Sequence, residues 1–379
     1  MKIAIINPSM RLAGGVERVI ALQVNAWVEQ YNHDVVIITQ ADSSCTSFYK
    51  LNDKVRIVYV GDLIYRNIFD KMRVIRMFRK RNQRISQYKK VIKEEKPDII
   101  ISTMQGEENF FLRKIANKTP IIGINHLTLL WRKGMTEKKV RTRIRMYLTY
   151  LIHCTKWRKY NAIIALSKTD ELNLQRIGCN TYYIPNPSSF PIIHNNKRKN
   201  NKQIIMVGRL DYLKGQDRLL KIWKNISNEF PDWKLLLIGN GEMHDTLLDL
   251  EKRYNIQNSV IHIYQSNNIQ SQLASASIFA FTSRLESFGM VILEAFCCGL
   301  PVISYDCENG PRDLVRSNFN GFLIPNDDEQ TFTLKLRELI LNSALREKMG
   351  KNAEITAQTY SINSIMDKWE SLLQSLIKK

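Results

Sequence analysis

Short apolar runs alternate with longer stretches of helical periodicity along the whole chain. We predict strands at the apolar runs, which are 2–7, 34–39, 55–60, 98–102, 120–124 and 162–166 in the first half and 203–207, 234–238, 260–264, 278–282 and 301–304 in the second. Several runs are almost continuous in Val, Ile and Leu, which is typical of parallel strands covered on both faces. The helical stretches between them indicate βαβ units, so the expected fold class is α/β, with two doubly wound domains in tandem.

A polar stretch divides the chain into two parts. Residues 188–202 are rich in Asn, Lys and Arg, a composition typical of an exposed linker. We therefore predict an N-terminal domain over 1–187 and a C-terminal domain over 203–360. The last segment, 361–379, carries apolar residues at helical spacing and is predicted to be an amphipathic helix.

The positive charge lies almost entirely in the first half. Residues 1–187 contain 33 Lys and Arg against 15 Asp and Glu, whereas residues 188–379 contain 23 and 21. Two segments concentrate it: 66–93 has eleven cations and one acid, and 131–159 has ten cations and one acid, interleaved with Trp and Tyr. This asymmetry indicates an anionic partner, which could be a membrane surface, a nucleic acid or a phosphorylated substrate. We favour an anionic membrane surface, because no nucleic-acid-binding signature accompanies the charge. A solvated basic face that only keeps the protein soluble is the alternative.

The remaining composition fits a globular protein of the cytoplasm. No run of 18 apolar residues is present, and the apolar start at residues 2–7 is too short for a secretory signal. The six cysteines form no C-x-x-C pair and have no metal-ligand spacing with histidine, so we interpret them as buried thiols. We expect no metal, no nucleic acid and a monomer located at the inner face of the cell membrane.

Two segments of the second half each combine a strand with a turn suited to phosphate or sugar, and a third, stronger pattern follows them. Val207-Gly208-Arg209-Leu210 is followed by Lys214-Gly215, which places two cations beyond the carboxyl end of a strand. The next strand ends in Gly239-Asn240-Gly241, where glycine permits close approach of a ligand. Both patterns are weak when taken alone.

The strongest pattern runs from Thr282 to Ser304. A strand is followed by a loop with Glu286, Ser287 and Phe288, and a helix begins at about Gly289. The amides at the start of this helix can bind a phosphate or a sugar hydroxyl. Glu294 lies farther along the helix among apolar residues, and like Glu286 it can accept hydrogen bonds from a diol.

These motifs resemble those of the retaining glycosyltransferases of family 4, which have the GT-B fold. The resemblance covers residues 3 to about 360, and it includes an N-terminal glycine loop at Gly14-Gly15-Val16-Glu17-Arg18. It implies two Rossmann-like domains facing across a cleft, with the last helix returning to the first domain. It also implies a nucleotide-sugar donor, most often a UDP-sugar, and an acceptor such as a lipid-linked sugar or a polysaccharide of the bacterial surface.

The resemblance also implies roles for single residues. Arg209 and Lys214 would hold the diphosphate, Glu294 the ribose and Glu286 the donor sugar, with the Ser287, Phe288 and Gly289 backbone nearby. Gly14 and Gly15 would approach the diphosphate from the other domain, Gly239 would line the donor site, and His126 would line the sugar pocket. The reaction would proceed with retention by charge stabilisation and positioning, without a metal. A UDP-sugar epimerase of the same fold and a non-catalytic basic module remain as alternatives.

Overall fold

A computed structural model of the chain describes residues 1–40, 46–61, 73–126, 140–193, 201–266 and 268–377. These residues form two compact units. Unit 1 consists of Met1–Pro187 and Ile362–Lys379, and unit 2 consists of Ser188–Ser361.

Unit 1 is built on seven strands. Its strands are β1 (Lys2–Ile6), β2 (Asp34–Thr39), β3 (Arg56–Tyr59), β4 (Ile99–Ser102), β5 (Ile121–Asn125), β6 (Ala162–Ala165) and β7 (Thr181–Tyr183). Its helices among the described residues are α1 (Gly15–Tyr31), α2 (Arg73–Glu95), α3 (Leu112–Ile115), α4 (Val140–Trp157), α5 (Lys168–Arg176) and, from the end of the chain, α13 (Ile362–Ile377).

Unit 2 repeats the alternation of strand and helix. Its strands are β8 (Gln203–Val207), β9 (Lys234–Ile238), β10 (Val260–Ile263), β11 (Ile278–Phe281), β12 (Val302–Asp306) and β13 (Gly321–Pro325). Its helices in the described part are α6 (Gln216–Lys224), α7 (His244–Tyr254), α8 (Ile269–Ser275), α9 (Met290–Cys297), α10 (Pro311–Leu314), α11 (Glu329–Leu341) and α12 (Ser343–Gln358).

Both sheets are parallel and doubly wound. The strand order is β3-β2-β1-β4-β5-β6-β7 in unit 1 and β10-β9-β8-β11-β12-β13 in unit 2. Every strand pair among the named strands is parallel. The order reverses beside β1 in unit 1 and beside β8 in unit 2, and open α/β sheets bind ligands beyond the carboxyl ends of the strands at such points. The topology therefore predicts a ligand site of unit 2 at the loops after β8 and β11.

The central strands are buried on both faces, as the continuous apolar runs predict. Ile3 to Ile6 in β1 and Ile204 to Met206 in β8 are at most 2% exposed. Helices cover the unit 2 sheet with large side chains such as Trp223 of α6 and Phe332 of α11, which belong to one core cluster with the strand residues. The α/β fold class is confirmed.

The last helix packs on the first helix of unit 1. The indole rings of Trp27 and Trp369 meet edge to face with 5.6 Å between their centroids. Tyr31 donates to Asp367 over 2.8 Å, and a ring nitrogen of His33 lies 2.9 Å from the Glu370 carboxylate. Apolar burial and polar contacts together therefore attach the end of the chain to unit 1.

The structure differs from the sequence prediction at two strands and at the linker. β7 and β13 were absent from the predicted strands, because Thr181–Tyr183 is only three residues long and Gly321–Pro325 begins with Gly and ends with Pro. The first residues of the predicted linker belong to unit 2, where Ile193 donates its amide to the Cys297 carbonyl over 2.8 Å. Residues 194–200 of that segment lie outside the described residues.

Candidate functional site

The loop between β8 and α6 carries the two predicted phosphate-binding cations. We call residues 208–215 loop A. Asp211 organises it, because one carboxylate oxygen accepts from Arg209 Nε over 2.6 Å and the other accepts from the Lys214 amide over 3.0 Å. Gly215 ends the loop at a φ of 73° against the Thr282 carbonyl, which favours glycine there. The side chain of Arg209 remains 73% exposed and that of Lys214 27%.

The turn after β9 packs directly against loop A. Gly239 has a φ of 142°, and a Cβ there would collide with the Gly208 carbonyl. A Cβ on Gly241 would collide in the same way with the Leu210 carbonyl. Gly239 was predicted to line the donor site. The close contact between this turn and loop A explains why glycine is needed at that position, whether or not a ligand binds there.

The loop between β11 and α9 carries the predicted sugar-binding residues. We call residues 282–289 loop B. Gly289 caps the eight-residue helix α9 at a φ of 93°, and no side chain of this cap hydrogen-bonds the amides at the helix start. The Ser287 amide donates to the Glu286 carboxylate over 3.1 Å. Phe288 is 2% exposed and its ring packs on Tyr360, which anchors the loop.

An ion pair joins loop A to loop B. Lys214 Nζ lies 2.6 Å from Glu286 Oε2, which brings the predicted phosphate-binding and sugar-binding side chains into contact. Burial acts to lower the pKa of Lys214, but the Glu286 carboxylate and, more weakly, Asp211 outweigh burial and raise that pKa. Burial, together with the Glu286 charge, raises the pKa of the nearby Cys307 thiol to about 12, so this thiol stays neutral. The junction is therefore a charged pair beside a neutral thiol.

Glu294 lies inside helix α9, eight residues after Glu286. It is 3% exposed, in contrast to a solvated charge at a helix start. Ser189 Oγ donates to Glu294 Oε1 over 2.6 Å. Sequence reasoning missed Ser189, because it lies 105 residues earlier in a segment predicted to be a linker. A carboxylate oxygen can accept more than one hydrogen bond, so a hydroxyl of a ligand can bind Glu294 alongside the Ser189 hydroxyl.

Three further polar atoms are buried near these loops without a hydrogen-bond partner among the described residues. They are Gln216 Oε1 at the start of α6, Ser283 Oγ in loop B and Asn309 Oδ1 after β12. Buried polar atoms of this kind are uncommon and indicate sites where a ligand or water completes the bonding. Their residue types carry no recognisable sequence signal, and they were not predicted.

The predicted N-terminal contacts belong to unit 1. Gly14 caps α1, and Gly15 is its first residue, with open space where a Cβ would lie. His126 directly follows β5 and is 7% exposed. The remaining predicted site residues, Arg209 to Glu294, lie in unit 2.

The second predicted basic segment contains an amphipathic helix with an exposed apolar stripe. Tyr150, Cys154 and Trp157 face the interior of unit 1. The opposite side exposes six large apolar residues, each more than two fifths exposed: Val140, Ile144, Tyr147, Leu148, Leu151 and Ile152. Residues 131–139 of this segment, and 66–72 of the other basic segment, lie outside the described residues.

Two negative findings apply to the described part of the chain. It contains no helix with the length and apolar character needed to cross a bilayer. It also contains no group of three or more His, Cys, Asp or Glu side chains arranged to hold a metal ion.

Comparison with known proteins identifies the family. A family model described as Glycosyltransferase Family 4 matches residues 13–187, and one described as Glycosyl transferases group 1 matches residues 191–356. The chain is 26% identical to the amylovoran biosynthesis glycosyltransferase AmsD of Erwinia amylovora, over 98% of this chain and 99% of AmsD. It is 23% identical, over 98% of both chains, to a Campylobacter jejuni enzyme. That enzyme is named GalNAc-alpha-(1->4)-GalNAc-alpha-(1->3)-diNAcBac-PP-undecaprenol alpha-1,4-N-acetyl-D-galactosaminyltransferase.

A solved structure agrees on the fold. Staphylococcus aureus TarM, crystallised with Fondaparinux, alpha-GlcNAc-glycerol and UDP, superposes with a TM-score of 0.76 at 15% identity, over 98% of this chain and 99% of TarM. Of the functions that the sequence left open, these findings support the transferase and not the epimerase or the non-catalytic module. The chain belongs to the family 4 glycosyltransferases, and its two Rossmann-like halves are those of the GT-B fold.

Proposed function

We propose that this glycosyltransferase takes a sugar from a UDP-sugar and transfers it, with retention, to a lipid-linked or polysaccharide acceptor of the bacterial surface. The observation that carries the proposal is the contact of Lys214 with Glu286 at the switch point of the unit 2 sheet. It supplies a fixed cation for the leaving diphosphate next to a carboxylate for the sugar hydroxyls. TarM was crystallised with UDP, and the Campylobacter relative is named for an undecaprenol-linked acceptor.

The proposed chemistry relies on charge stabilisation by groups already in place. As the bond between the anomeric carbon and the phosphate oxygen breaks, negative charge grows on the diphosphate. Lys214 has three N–H donors, so it can hold Glu286 and a phosphate oxygen together, and Arg209 can add a two-point contact. The amides at the start of α9 add a partial positive charge. We propose that these groups suffice without a metal.

We propose retention because the chain resembles the retaining glycosyltransferases, and we propose attack from the same face because no carboxylate of loops A and B is set apart as a nucleophile for a two-step displacement. Glu286 is engaged by Lys214 and by the Ser287 amide, and Asp211 by Arg209 and the Lys214 amide. A protein that positions the donor and stabilises the departing phosphate leaves the acceptor to attack from the same face. The presence of alpha-GlcNAc-glycerol in the TarM crystal and the alpha linkage in the name of the Campylobacter relative agree with an α-linked product.

We also propose that α4 carries the enzyme to an anionic membrane surface at the inner face of the cell membrane. Val140–Trp157 contains four Lys and Arg and no acid. Three of these cations, Arg141, Arg143 and Arg145, lie along the chain between residues of the exposed apolar stripe, from Val140 to Tyr147. A helix with cations and an exposed apolar face fits the boundary between lipid headgroups and acyl chains. A lipid-linked acceptor would be found there.

A transfer assay tests the proposed reaction. UDP release would be measured with UDP-glucose, UDP-galactose and their N-acetyl counterparts, with and without a polyprenyl-pyrophosphate-linked oligosaccharide acceptor, in EDTA and in Mg²⁺. We expect one donor to give acceptor-dependent UDP release that EDTA leaves unchanged, and an α-linked product by proton NMR. Release that never depends on acceptor would contradict the transfer, a β-linked product would contradict retention, and loss of activity in EDTA would contradict the metal-free reaction.

A further inference from the structure

Arg284 lies in loop B, but it contacts loop A and the helix that follows loop A. Its backbone amide donates to the Leu213 carbonyl over 2.7 Å, and its Nη1 donates to the Tyr212 carbonyl over 2.7 Å. The guanidinium also lies over the Tyr212 ring, 4.0 Å from the ring centroid. One residue therefore ties the backbone of the loop that carries Glu286 to the backbone of the loop that carries Lys214.

The same guanidinium forms a two-point ion pair with the first turn of α6. Nη1 lies 2.8 Å from Asp217 Oδ1, and Nη2 lies 2.6 Å from Asp217 Oδ2. The two side chains are 22% and 24% exposed, so water screens the pair only partly. A planar guanidinium held at both nitrogens by one carboxylate fixes orientation as well as distance. Loop A is thus held to Arg284 both at its backbone and at the helix that follows it.

A second arginine spans the same junction from the buried side. Arg218 Nη1 donates to the Thr282 carbonyl over 3.1 Å, and its guanidinium stacks on Tyr305 at 3.9 Å. Thr282 Oγ1 in turn donates to the Gly215 carbonyl over 2.7 Å. Arg218 is only 9% exposed, and its removal would leave buried carbonyls unpaired. Arg284 is therefore the contact that can be tested without unfolding the junction.

We propose that Arg284 is a positioning residue, which keeps loops A and B in register so that the Lys214 ammonium and the Glu286 carboxylate retain their separation during transfer. The inference rests on the proposed function, because that function assigns the diphosphate to the cations of loop A and the donor sugar to Glu286 of loop B. Arg284 acts through Tyr212 and Asp217, and it is not assigned a contact with substrate.

The inference predicts a split between chemistry and nucleotide binding. A shift of about 1 Å between the groups that hold the leaving phosphate and the sugar can lower the rate about 100-fold. UDP alone has no sugar for Glu286 to hold, and its proposed contacts are Arg209, Lys214, Glu294 and the amides at the start of α9. Loss of Arg284 should therefore lower kcat much more than it lowers the affinity for UDP.

The test compares Arg284→Gln with Arg337→Gln as a matched control. Arg337 forms the same kind of two-point pair with Glu229, at 2.9 and 2.7 Å, and among the described residues its guanidinium hydrogen-bonds neither loop A nor loop B. We expect kcat of Arg284→Gln to fall about 30-fold or more, with the Kd for UDP within about 3-fold of wild type. Arg337→Gln should match wild type in both. In Arg284→Ala, guanidinium at millimolar concentration should restore part of kcat, without effect on wild type or on Arg337→Gln.

The outcomes distinguish failure of the positioning role of Arg284 from failure of the proposed transferase function. A wild-type kcat in Arg284→Gln would overturn the positioning role, as would equal losses of kcat, UDP affinity and thermal midpoint, since these mark a merely structural residue. If Arg284→Gln fails to fold, Asp217→Asn removes the partner charge and should give the same split; a wild-type kcat there would overturn the role. A wild-type enzyme that neither binds UDP nor releases it from a donor would overturn the proposed function itself.

Discussion

At the scale of single residues, the central feature is the ion pair between Lys214 and Glu286. The two atoms lie 2.6 Å apart and the side chains are 27% and 15% exposed. Because the neighbouring carboxylates raise the pKa of Lys214, the ammonium stays charged throughout the neutral range. A charge that is fixed before the reaction costs no reorganisation when negative charge develops beside it.

We expect Lys214→Ala to lower kcat by about 10²- to 10³-fold, the typical loss when one charge-stabilising donor is removed from a preorganised site. Lys221→Ala is the control, because Lys221 lies on the following helix, is 60% exposed and pairs with Glu329 outside the two loops. Steady-state kinetics of both variants on the donor identified by the transfer assay would measure the effect. A rate for Lys214→Ala close to that of Lys221→Ala would remove Lys214 from the mechanism.

The residues of loops A and B can be identified from the sequence, but their partners cannot. Each loop follows an apolar strand and contains a glycine with positive φ, which are local signals. Ser189 reaches Glu294 and Arg284 reaches Asp217 across 105 and 67 residues, and these contacts depend on how strands order themselves in the sheet. A single sequence carries no information on such pairings beyond the residue types.

At the scale of secondary-structure elements, Glu95 joins three pieces of unit 1. It ends α2, and its carboxylate meets Arg56 of β3 at 2.9 Å and Lys2 of β1 at 2.9 Å. The hydrogen bond from the Arg56 guanidinium, helped by Lys2, lowers the pKa of Glu95 to about 2 in spite of burial. The ionised carboxylate therefore stabilises the folded state.

We expect Glu95→Gln to destabilise unit 1 by about 2 kcal/mol near pH 7, a value reduced for the solvent screening of Arg56. Because the folded-state pKa lies below the unfolded one, the contribution is complete above about pH 4.5 and is lost as the pH falls toward 2. Urea unfolding of wild type and variant at several pH values would measure it. Glu94→Gln, at an exposed neighbouring carboxylate, should show little difference at any pH. A Glu95→Gln deficit that does not change with pH would contradict the account.

The elements themselves follow from the sequence where burial is uniform. The continuous apolar runs of β1, β8 and β9 identify them as central strands of parallel sheets. β7 and β13 lie at the edges of their sheets, where burial is incomplete and the pattern is short or begins with glycine. Strand order and the return of α13 to unit 1 depend on long-range packing, exemplified by Trp27 against Trp369.

At the scale of the whole molecule, charge and exposed apolar surface coincide. Residues 1–187 carry 33 Lys and Arg against 15 Asp and Glu, and α4 in the same half exposes its apolar stripe between cations. Each cation near an anionic surface adds about 1 kcal/mol of attraction, which salt weakens, whereas apolar insertion is insensitive to salt. We therefore expect the proposed membrane contact to combine an electrostatic contribution that salt weakens with an apolar contribution that salt does not change.

We expect the protein to bind vesicles containing phosphatidylglycerol, and binding to fall as salt is added. Replacing Ile144 and Leu148 together with Ser should weaken binding about 30- to 1000-fold, because each buried aliphatic side chain contributes about 1–2 kcal/mol. Leu334→Ser is the control, since Leu334 is 52% exposed on α11 of unit 2. Vesicle co-sedimentation would measure all three proteins. Equal binding by the Ile144/Leu148 variant and the control, or no binding by wild type, would contradict the membrane proposal.

The central claim is that unit 2 holds the nucleotide of the donor, with Glu294 on the ribose. Its most direct test is the thermal unfolding midpoint of wild type, Glu294→Ala and the control Glu338→Ala, each with UDP, GDP or ADP. A ligand at 100 times its Kd that binds only the folded state stabilises it by about 2.7 kcal/mol, which raises the midpoint by several degrees. The account predicts this rise with UDP for wild type and Glu338→Ala, and its loss in Glu294→Ala. No rise with any nucleotide, or a full rise in Glu294→Ala, would contradict it.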